Sequence, residues 1–211
     1  MTFDDLADAV IRNRFQESNR TDVKLWLNAS YTAIWQEADW YFKHVTAAPW
    51  TVTAGDDAPA MFSDFAEAEG VFNENGEPLI YLPQKQLEDN YLGDDGSGSS
   101  EAYTVVGREI ILAPTPATTR TYYLSYRRRI SHVDVGGSAA AGVMSEDGDQ
   151  PIWGAEFDYL LVADAQLTGE LLHKDPQAAQ TQVVRDRMLD SLKRDSLHSM
   201  QSSEPVFWGA C

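Results

Sequence analysis

The stretch TDVKLWLNASYTAIWQEADWYFKHV, residues 21–45, places three of the six tryptophans of the chain on one predicted helix. Its polar residues fall on a narrow stripe at helical spacing, and most of the remaining circumference is apolar. A helix with so much apolar surface must be covered from several sides. The stretch therefore predicts either a central core helix or a helix whose Trp26, Trp35 and Trp40 are covered by a neighbouring subunit.

The composition is typical of a globular chain with a strong acidic excess. The 211 residues are 43% hydrophobic, which is enough for one domain with an insertion or for two small domains. Acidic residues outnumber basic ones 33 to 16, and the formal net charge is −17. Because affinity for phosphates comes from cations, we do not expect binding to the outside of a nucleic acid.

Segments that would direct the chain to a membrane are not recognisable. No apolar run reaches the length of a membrane span, and the N-terminus lacks the basic and apolar start of a secretory signal. We expect a soluble protein that is used where it is made. The single cysteine, Cys211, has no disulfide partner in this sequence and argues against a thiolate metal cluster.

Periodicity predicts an α+β fold that begins with an N-terminal helical hairpin, residues 1–48. Its first helix is expected over Phe3–Phe15, with Thr2 as the N-cap and Asp5 at the capping-box position. Its second helix is the tryptophan-rich stretch, from Thr21 to Val45. A short polar turn joins the two, which favours antiparallel packing.

An acidic, β-rich insert follows over residues 49–130. Short apolar runs alternate there with turn residues, which indicates a small antiparallel β domain. Asn73–Gly76 and Gly107 are the predicted hairpin turns, and Pro83–Asn90 is predicted to form one or two helical turns. The expected strands are residues 50–53, 71–72, 79–82, 103–106, 110–112 and 121–129.

Beyond the insert, residues 131–150 show little periodicity, and we expect a flexible loop. Residues 151–200 are predicted to form a C-terminal helical pair that packs with the first hairpin into a helical bundle. The expected helices run from Pro151 to about Lys174 and from about Gln177 to Leu197. Residues 201–211 read as a tail.

The first helix of that pair carries two faces of interest. Asp164 lies on an otherwise apolar face, where an ionised group is costly unless it is paired. We expect pairing with Arg12, Arg14 or an arginine of a second copy; the alternatives are a wetted position and, less simply, catalysis. A second face contains Leu161, Ala165 and Gly169, whose small residues would allow another helix to approach closely.

Charge is unevenly distributed in the insert. From Asp56 to Glu101 there are 12 acidic residues and one basic residue, Lys85. Within this block Asp94, Asp95 and Glu101 suggest either a solvated loop or an oxygen-rich calcium site, although the spacing does not match an EF-hand. The basic residues Arg127, Arg128 and Arg129 end the insert. They could clamp phosphate, end a strand in solvent, or contact an acidic neighbouring copy.

The remaining candidates carry little catalytic signal. The four histidines are far apart in sequence, and no nucleophile-elbow, Walker or zinc-protease motif occurs. In the tail, Val206, Phe207 and Trp208 follow a linker-like segment. They either fold back onto the core or dock into a pocket of another protein, as aromatic hot spots do.

Five stretches that cover most of the chain carry a family resemblance: LADAVIRNRF (6–15), VKLWLNASYTAIWQEADWYF (23–42), PLIYLP (78–83), REIILAPTPATTRTYYLSYRRR (108–129) and PIWGAEFDYLLVADAQL (151–167). In their order and pattern they resemble the head-to-tail adaptor proteins of tailed bacteriophages. The resemblance implies a ring of about twelve copies beneath the portal protein. It further implies a helical core, a β insert, and a C-terminal segment that grips the portal while DNA passes through the ring.

On this resemblance we expect a structural virion protein of the neck, made in the host cytoplasm, and neither an enzyme nor a cofactor- or metal-binding protein. Val206, Phe207 and Trp208 would contact the portal. Asp94, Asp95 and Glu101 would face the channel, where negative charge keeps the duplex from sticking. The tryptophans named above, Asp164 and the three arginines would lie between subunits, and the next tail or stopper component would be the other partner.

Two other functions remain open at this level. A carbohydrate- or receptor-binding module would stack tryptophan and tyrosine rings on sugars and hold calcium in its acidic loops. A hydrolase would use a pair of carboxylates from the insert, but no spacing identifies the pair.

Overall fold

The computed structural model describes residues 1–91 and 98–202, without the side chains of residues 13, 14, 18, 201 and 202. The fold is α+β, with helices at both ends and a β region inserted between them. Its residues divide into two compact units. The helical unit contains Met1–Phe42 and the described chain from Ile130 onward, and the β unit contains Lys43–Arg129.

The first helix, α1, spans Phe3–Arg14 and begins as predicted. The backbone N–H of Asp5 donates to Thr2 Oγ1 over 3.2 Å, and the N–H of Thr2 donates to Asp5 Oδ2 over 3.0 Å. This reciprocal pair satisfies two amides that helical geometry leaves without partners. The capping box is therefore confirmed, with Asp in place of the more usual Glu.

The tryptophan-rich helix, α2, spans Arg20–Glu37 and is shorter than predicted. The backbone at Ala38 turns extended, and the Trp40 indole N–H donates to the Ile34 carbonyl over 2.6 Å. That carbonyl would accept the next amide if the helix continued. A 3₁₀ turn at Tyr41–Lys43 then leads directly into strand β1 (His44–Val52), so the prediction of helix up to Val45 was wrong.

The chain from Ile130 adds a small sheet, which corrects the expectation of a loop without regular structure over residues 131–150. Its central strand, β7 (Ser131–Val133), pairs antiparallel with β8 (Ala139–Ala141) and with β9 (Gln150–Pro151). Pro151 therefore belongs to a strand and does not start a helix. Proline is tolerated there because β9 lies at the edge of its sheet.

Two more helices complete the helical unit: α4 spans Glu156–Leu172, and α5 spans Ala178–Ser202. Helix α4 packs against α1, α2 and α5. A Cβ added at Gly169 would lie 2.5 Å from a ring carbon of Trp26 and 2.6 Å from Phe15 Cζ. The absence of a side chain thus permits the close approach of α4 and α2 that the small-residue face predicted.

The described residues of the β unit form two three-stranded sheets and one helix. In the first sheet, β6 (Arg120–Arg128) lies between β1 (His44–Val52) and β2 (Phe65–Phe72), all antiparallel. The second sheet has the order β3 (Ile80–Tyr81), β4 (Ala102–Val106), β5 (Glu109–Ala113), with β3 parallel to β4. Helix α3 spans Gln84–Tyr91.

The predicted strands of the insert are all found, and both predicted turns are confirmed. Gly76 and Gly107 have φ values of 80° and 64°, the left-handed region in which glycine is unstrained. The Gly76 N–H donates to the Asn73 carbonyl over 3.0 Å. The predicted helical turns at Pro83–Asn90 correspond to α3.

Candidate assembly surfaces

The three tryptophans of residues 21–45 are covered by the chain itself. Trp40 is fully buried, and Trp35 and Trp26 expose only 7% and 9% of their surface. The Trp40 ring centroid lies 5.1 Å from that of Phe157 on α4. The structure therefore agrees with the central-core alternative and corrects the expectation that a neighbouring subunit covers these rings.

Burial extends to most of the other indoles, because Trp50 and Trp153 expose 4% and 7%. A ring that stacks on a sugar must present a face to solvent. Five of the six tryptophans cannot do so, although Tyr81 and Tyr159 are 55% and 65% exposed.

Asp164 finds its partner within the same helical pair. Its Oδ1 accepts from Arg185 Nε of α5 over 2.7 Å, and its side chain is 13% exposed. Neither Arg12, Arg14 nor a second copy is required, so that expectation is corrected. Sequence reasoning missed Arg185 because the rotation of α5 about its own axis, as it packs on α4, decides which cation reaches the carboxylate.

The three arginines that end the insert do not form a free basic patch. Arg128 Nε lies 3.0 Å from Asp64 Oδ2, and Arg129 Nε donates to the Ser63 carbonyl over 3.0 Å. In the sheet register, Arg127 stands between His44 of β1 and Glu67 of β2. The acidic partner expected from a neighbouring copy is thus supplied to Arg128 by its own chain.

Asp64 is the centre of a buried polar cluster in the β unit, which also contains Tyr126 and Arg128. It is 1% exposed, and the Tyr126 hydroxyl donates to its Oδ1 over 2.9 Å. Burial, together with the negative charge of Asp64, raises the pKa of Tyr126 to about 12. The phenol therefore stays protonated and keeps donating across the neutral range.

The residues assigned to the channel and to the portal are placed only in part. Glu101 is exposed, and its backbone joins β3 to β5 through hydrogen bonds with Ile80 and Ala113. Asp94 and Asp95 lie outside the described residues. The same is true of Val206, Phe207 and Trp208.

A row of two arginines and a histidine on α5 escaped the sequence reasoning. Arg187, Arg194 and His198 are exposed on this helix, and neither guanidinium forms an ion pair with an acidic residue in the described part of the chain. Spacings of seven and four residues place them on one side of the helix, and the exposed Asp190 lies between the two arginines, three and four residues from them. The spacing was visible in the sequence, but the side of α5 that packs on α4 was not. We call these residues the α5 basic row.

An open groove lies on another side of α5, lined by Tyr41, Glu156, Phe157, Leu192, Asp195, Ser196 and Ser199. The Tyr41 hydroxyl donates to Glu156 Oε1 over 2.8 Å, and the Tyr41 N–H donates to Ser196 Oγ over 3.0 Å. Burial and the neighbouring Glu156 raise the pKa of Tyr41 to about 12. We call this feature the Tyr41 groove; it has an apolar floor and carboxylates at its rim.

Two features of the described residues bear on metal binding and membrane insertion. Within residues 1–91 and 98–202, no group of three or more His, Cys, Asp or Glu side chains is placed to hold a metal ion. None of the helices in this described part combines the length and the mean hydropathy of a membrane span.

Comparison with protein families gives a match. The family model described as SU10 adaptor protein matches residues 1–205, nearly the whole chain. A search of curated proteins finds no match.

Proposed function

Since the chain belongs to the SU10 adaptor family and is therefore a structural adaptor protein of a bacteriophage virion, we propose that it forms a ring between portal and tail. The family match over residues 1–205 is the observation that carries this proposal. In the assembled particle the ring occupies the neck, after synthesis of its subunits in the host cytoplasm. About twelve copies, as in the adaptors it resembles, close the ring by head-to-tail contacts.

The acidity of the chain supports passage of DNA without retention. With a net charge of −17 the subunit repels a duplex rather than binding it. We assign Asp94, Asp95 and Glu101 to the channel wall, and Glu101 is exposed as this role requires. The ring thereby guides the duplex from the portal to the next tail or stopper component with no specific contact to its bases.

The portal contact is assigned to Val206, Phe207 and Trp208. They follow α5, whose last residue is Ser202, after the short polar linker Ser203-Glu204-Pro205. Aromatic side chains on such a segment can fill a pocket of a partner and supply much of the binding energy.

The test measures the mass of the purified protein with and without a portal ring. We expect a complex of several adaptor copies on each portal, and we expect deletion of Glu204–Cys211 to abolish attachment while the circular dichroism spectrum is unchanged. A matched variant that lacks only Gly209–Cys211 retains the aromatic residues and should attach normally. Failure of the full chain to form any higher-order species with the portal would refute the adaptor ring.

A further inference from the structure

The α5 basic row is an unusual surface for a chain with such an acidic composition. Arg187, Arg194 and His198 project within about 40° of one another around the helix and span roughly 16 Å along it. The neighbouring cations of the same helix behave differently. Arg185 is paired with Asp164, and Lys193 Nζ donates to Glu37 Oε1 over 2.7 Å.

The Tyr41 groove offers the complementary chemistry on a different side of the same helix. Leu192, Asp195 and Ser199 of α5 line it, and they project roughly a third of a turn away from the basic row. Glu156 and Asp195, both exposed, place carboxylates at the rim, while Phe157 and Leu192 form the floor. An arginine has an apolar stem and a charged planar head, so it suits a groove with this floor and rim.

We propose that the α5 basic row of one copy docks into the Tyr41 groove of the next copy. This inference rests on the proposed ring. A ring that closes by rotation joins two different faces of the same subunit, and the two surfaces must be complementary. The basic row and the acidic groove meet both requirements. The helical unit that carries them is closed by its own packed core, so it presents both faces on one framework.

A second copy fits the basic row better than DNA does. Two arginines and a histidine on a subunit with a charge of −17 make a weak site for a duplex, because the surrounding acidic residues oppose the phosphates. The groove of another copy presents two carboxylates, both of which attract a guanidinium. The chain thus supplies both halves of the contact.

The test exchanges the charges of the two faces in the full chain. R187E/R194E turns the basic row acidic, and E156K/D195K turns the groove basic. Each variant alone brings like charges together, and we expect its association into rings to weaken by more than roughly tenfold. In an equimolar mixture every contact again joins opposite charges. Native mass spectrometry with one variant isotope-labelled should then show mixed rings.

A matched control applies the same change of charge elsewhere. K85E/R108E alters two exposed cations of the β unit and should leave ring formation unchanged. DNA is tested by measuring retention of a short duplex on the wild-type ring at low salt. Retention that R187E/R194E removes, with ring formation intact, would assign the row to DNA and overturn the proposal.

Two other outcomes separate this inference from the adaptor function. If the wild type assembles with the portal and both charge variants assemble equally well, or their mixture fails to restore rings, only the contact proposed here is refuted. If the wild type forms no higher-order species at all, both the proposed ring and the proposed contact are refuted.

Discussion

Both units bury an apolar core, but the core of the helical unit is centred on packed aromatic rings, whereas the β unit adds buried polar side chains that tie its long connections to its strands. In the helical unit Trp40, Phe42 and Phe157 form one continuous cluster, with ring centroids 5.1–6.1 Å apart. In the β unit the segment between β1 and β2 is held by Asp64, and Ser100 is held by Tyr122. Packing is non-directional, but the polar contacts each require a specific partner.

This difference has a consequence for mutation. An apolar core loses stability in proportion to the volume removed, because the surroundings relax only in part. A buried polar contact fails when one partner is changed, since the other partner is left without its hydrogen bond. We therefore expect the aromatic cluster of the helical unit and the polar contacts of the β unit to be sensitive to different substitutions. The losses of stability should also differ in size.

The largest effect is expected for Trp40→Ala. The indole is fully buried, and its N–H also ends α2 by donating to the Ile34 carbonyl. We expect the free energy of unfolding of the helical unit to fall by about 3–5 kcal/mol. Unfolding in urea, monitored by the circular dichroism of the helices, measures this loss. Leu25→Ala, at a position 63% exposed on α2, should cost less than about 0.5 kcal/mol. A smaller loss for Trp40→Ala than for Leu25→Ala would break the comparison.

Sequence reasoning succeeded where local chemistry decides the structure. The α1 cap depends on Thr2 and Asp5, three residues apart, and the strands of the insert depend on alternation within a few residues. Gly76 and Gly107 allow turns by their own backbone freedom. These features need no knowledge of distant partners.

Sequence reasoning failed where a contact between residues far apart in the chain decides the local structure. The apolar pattern of residues 21–45 continues past Glu37, but the Trp40 indole takes the carbonyl that a longer helix would use. The strands β7 to β9 consist largely of small or polar residues, and they form a sheet only because their partners are supplied across a loop.

The candidate surfaces divide in the same way. The burial of the tryptophans was one of two alternatives that the sequence left open, and only the packing of α4 on α2 selects it. Arg185 and the α5 basic row depend on the rotation of α5 about its axis. That rotation follows from contacts between helices far apart in the chain, so residue spacing alone did not identify which cations pair and which stay exposed.

The second prediction tests whether the buried polar contacts of Asp64 stabilise the β unit. Asp64→Asn removes the charge that pairs with Arg128 and weakens the acceptor of the Tyr126 hydroxyl, at a residue only 1% exposed. We expect a loss of about 2–3 kcal/mol, measured by hydrogen exchange of the β2 and β6 amides.

The matched control for this residue is Asp57→Asn, an exposed acid of the same connection, which should change stability by less than about 0.5 kcal/mol. The helical unit should keep its amide protection in both variants. Equal effects of the two substitutions would show that the buried contacts of Asp64 do not stabilise the β unit.

The smallest effect concerns Asp149, one of the buried acidic residues of the helical unit, as are Asp158 and Glu170. This carboxylate is 2% exposed, accepts from the N–H groups of Ser145 and Glu146 over 2.7 and 2.8 Å, and lies 3.4 Å from His132 Nε2. Burial alone raises the pKa of Asp149, but these two hydrogen bonds and His132 outweigh it and lower the pKa below the ordinary value of 3.8. The ionised form therefore stabilises the folded state.

A carboxylate with a lowered pKa contributes its full stability above its ordinary pKa and loses it as the pH falls through the folded value. We expect Asp149→Asn to cost about 1 kcal/mol at pH 7, and the difference from the wild type to disappear as the pH falls below 3.8. Urea midpoints between pH 7 and pH 3 measure it, with Glu146→Gln as an exposed control on the same loop. A difference that stays constant to pH 3 would mean that Asp149 acts by shape rather than by charge, unlike Asp64 in its contact with Arg128.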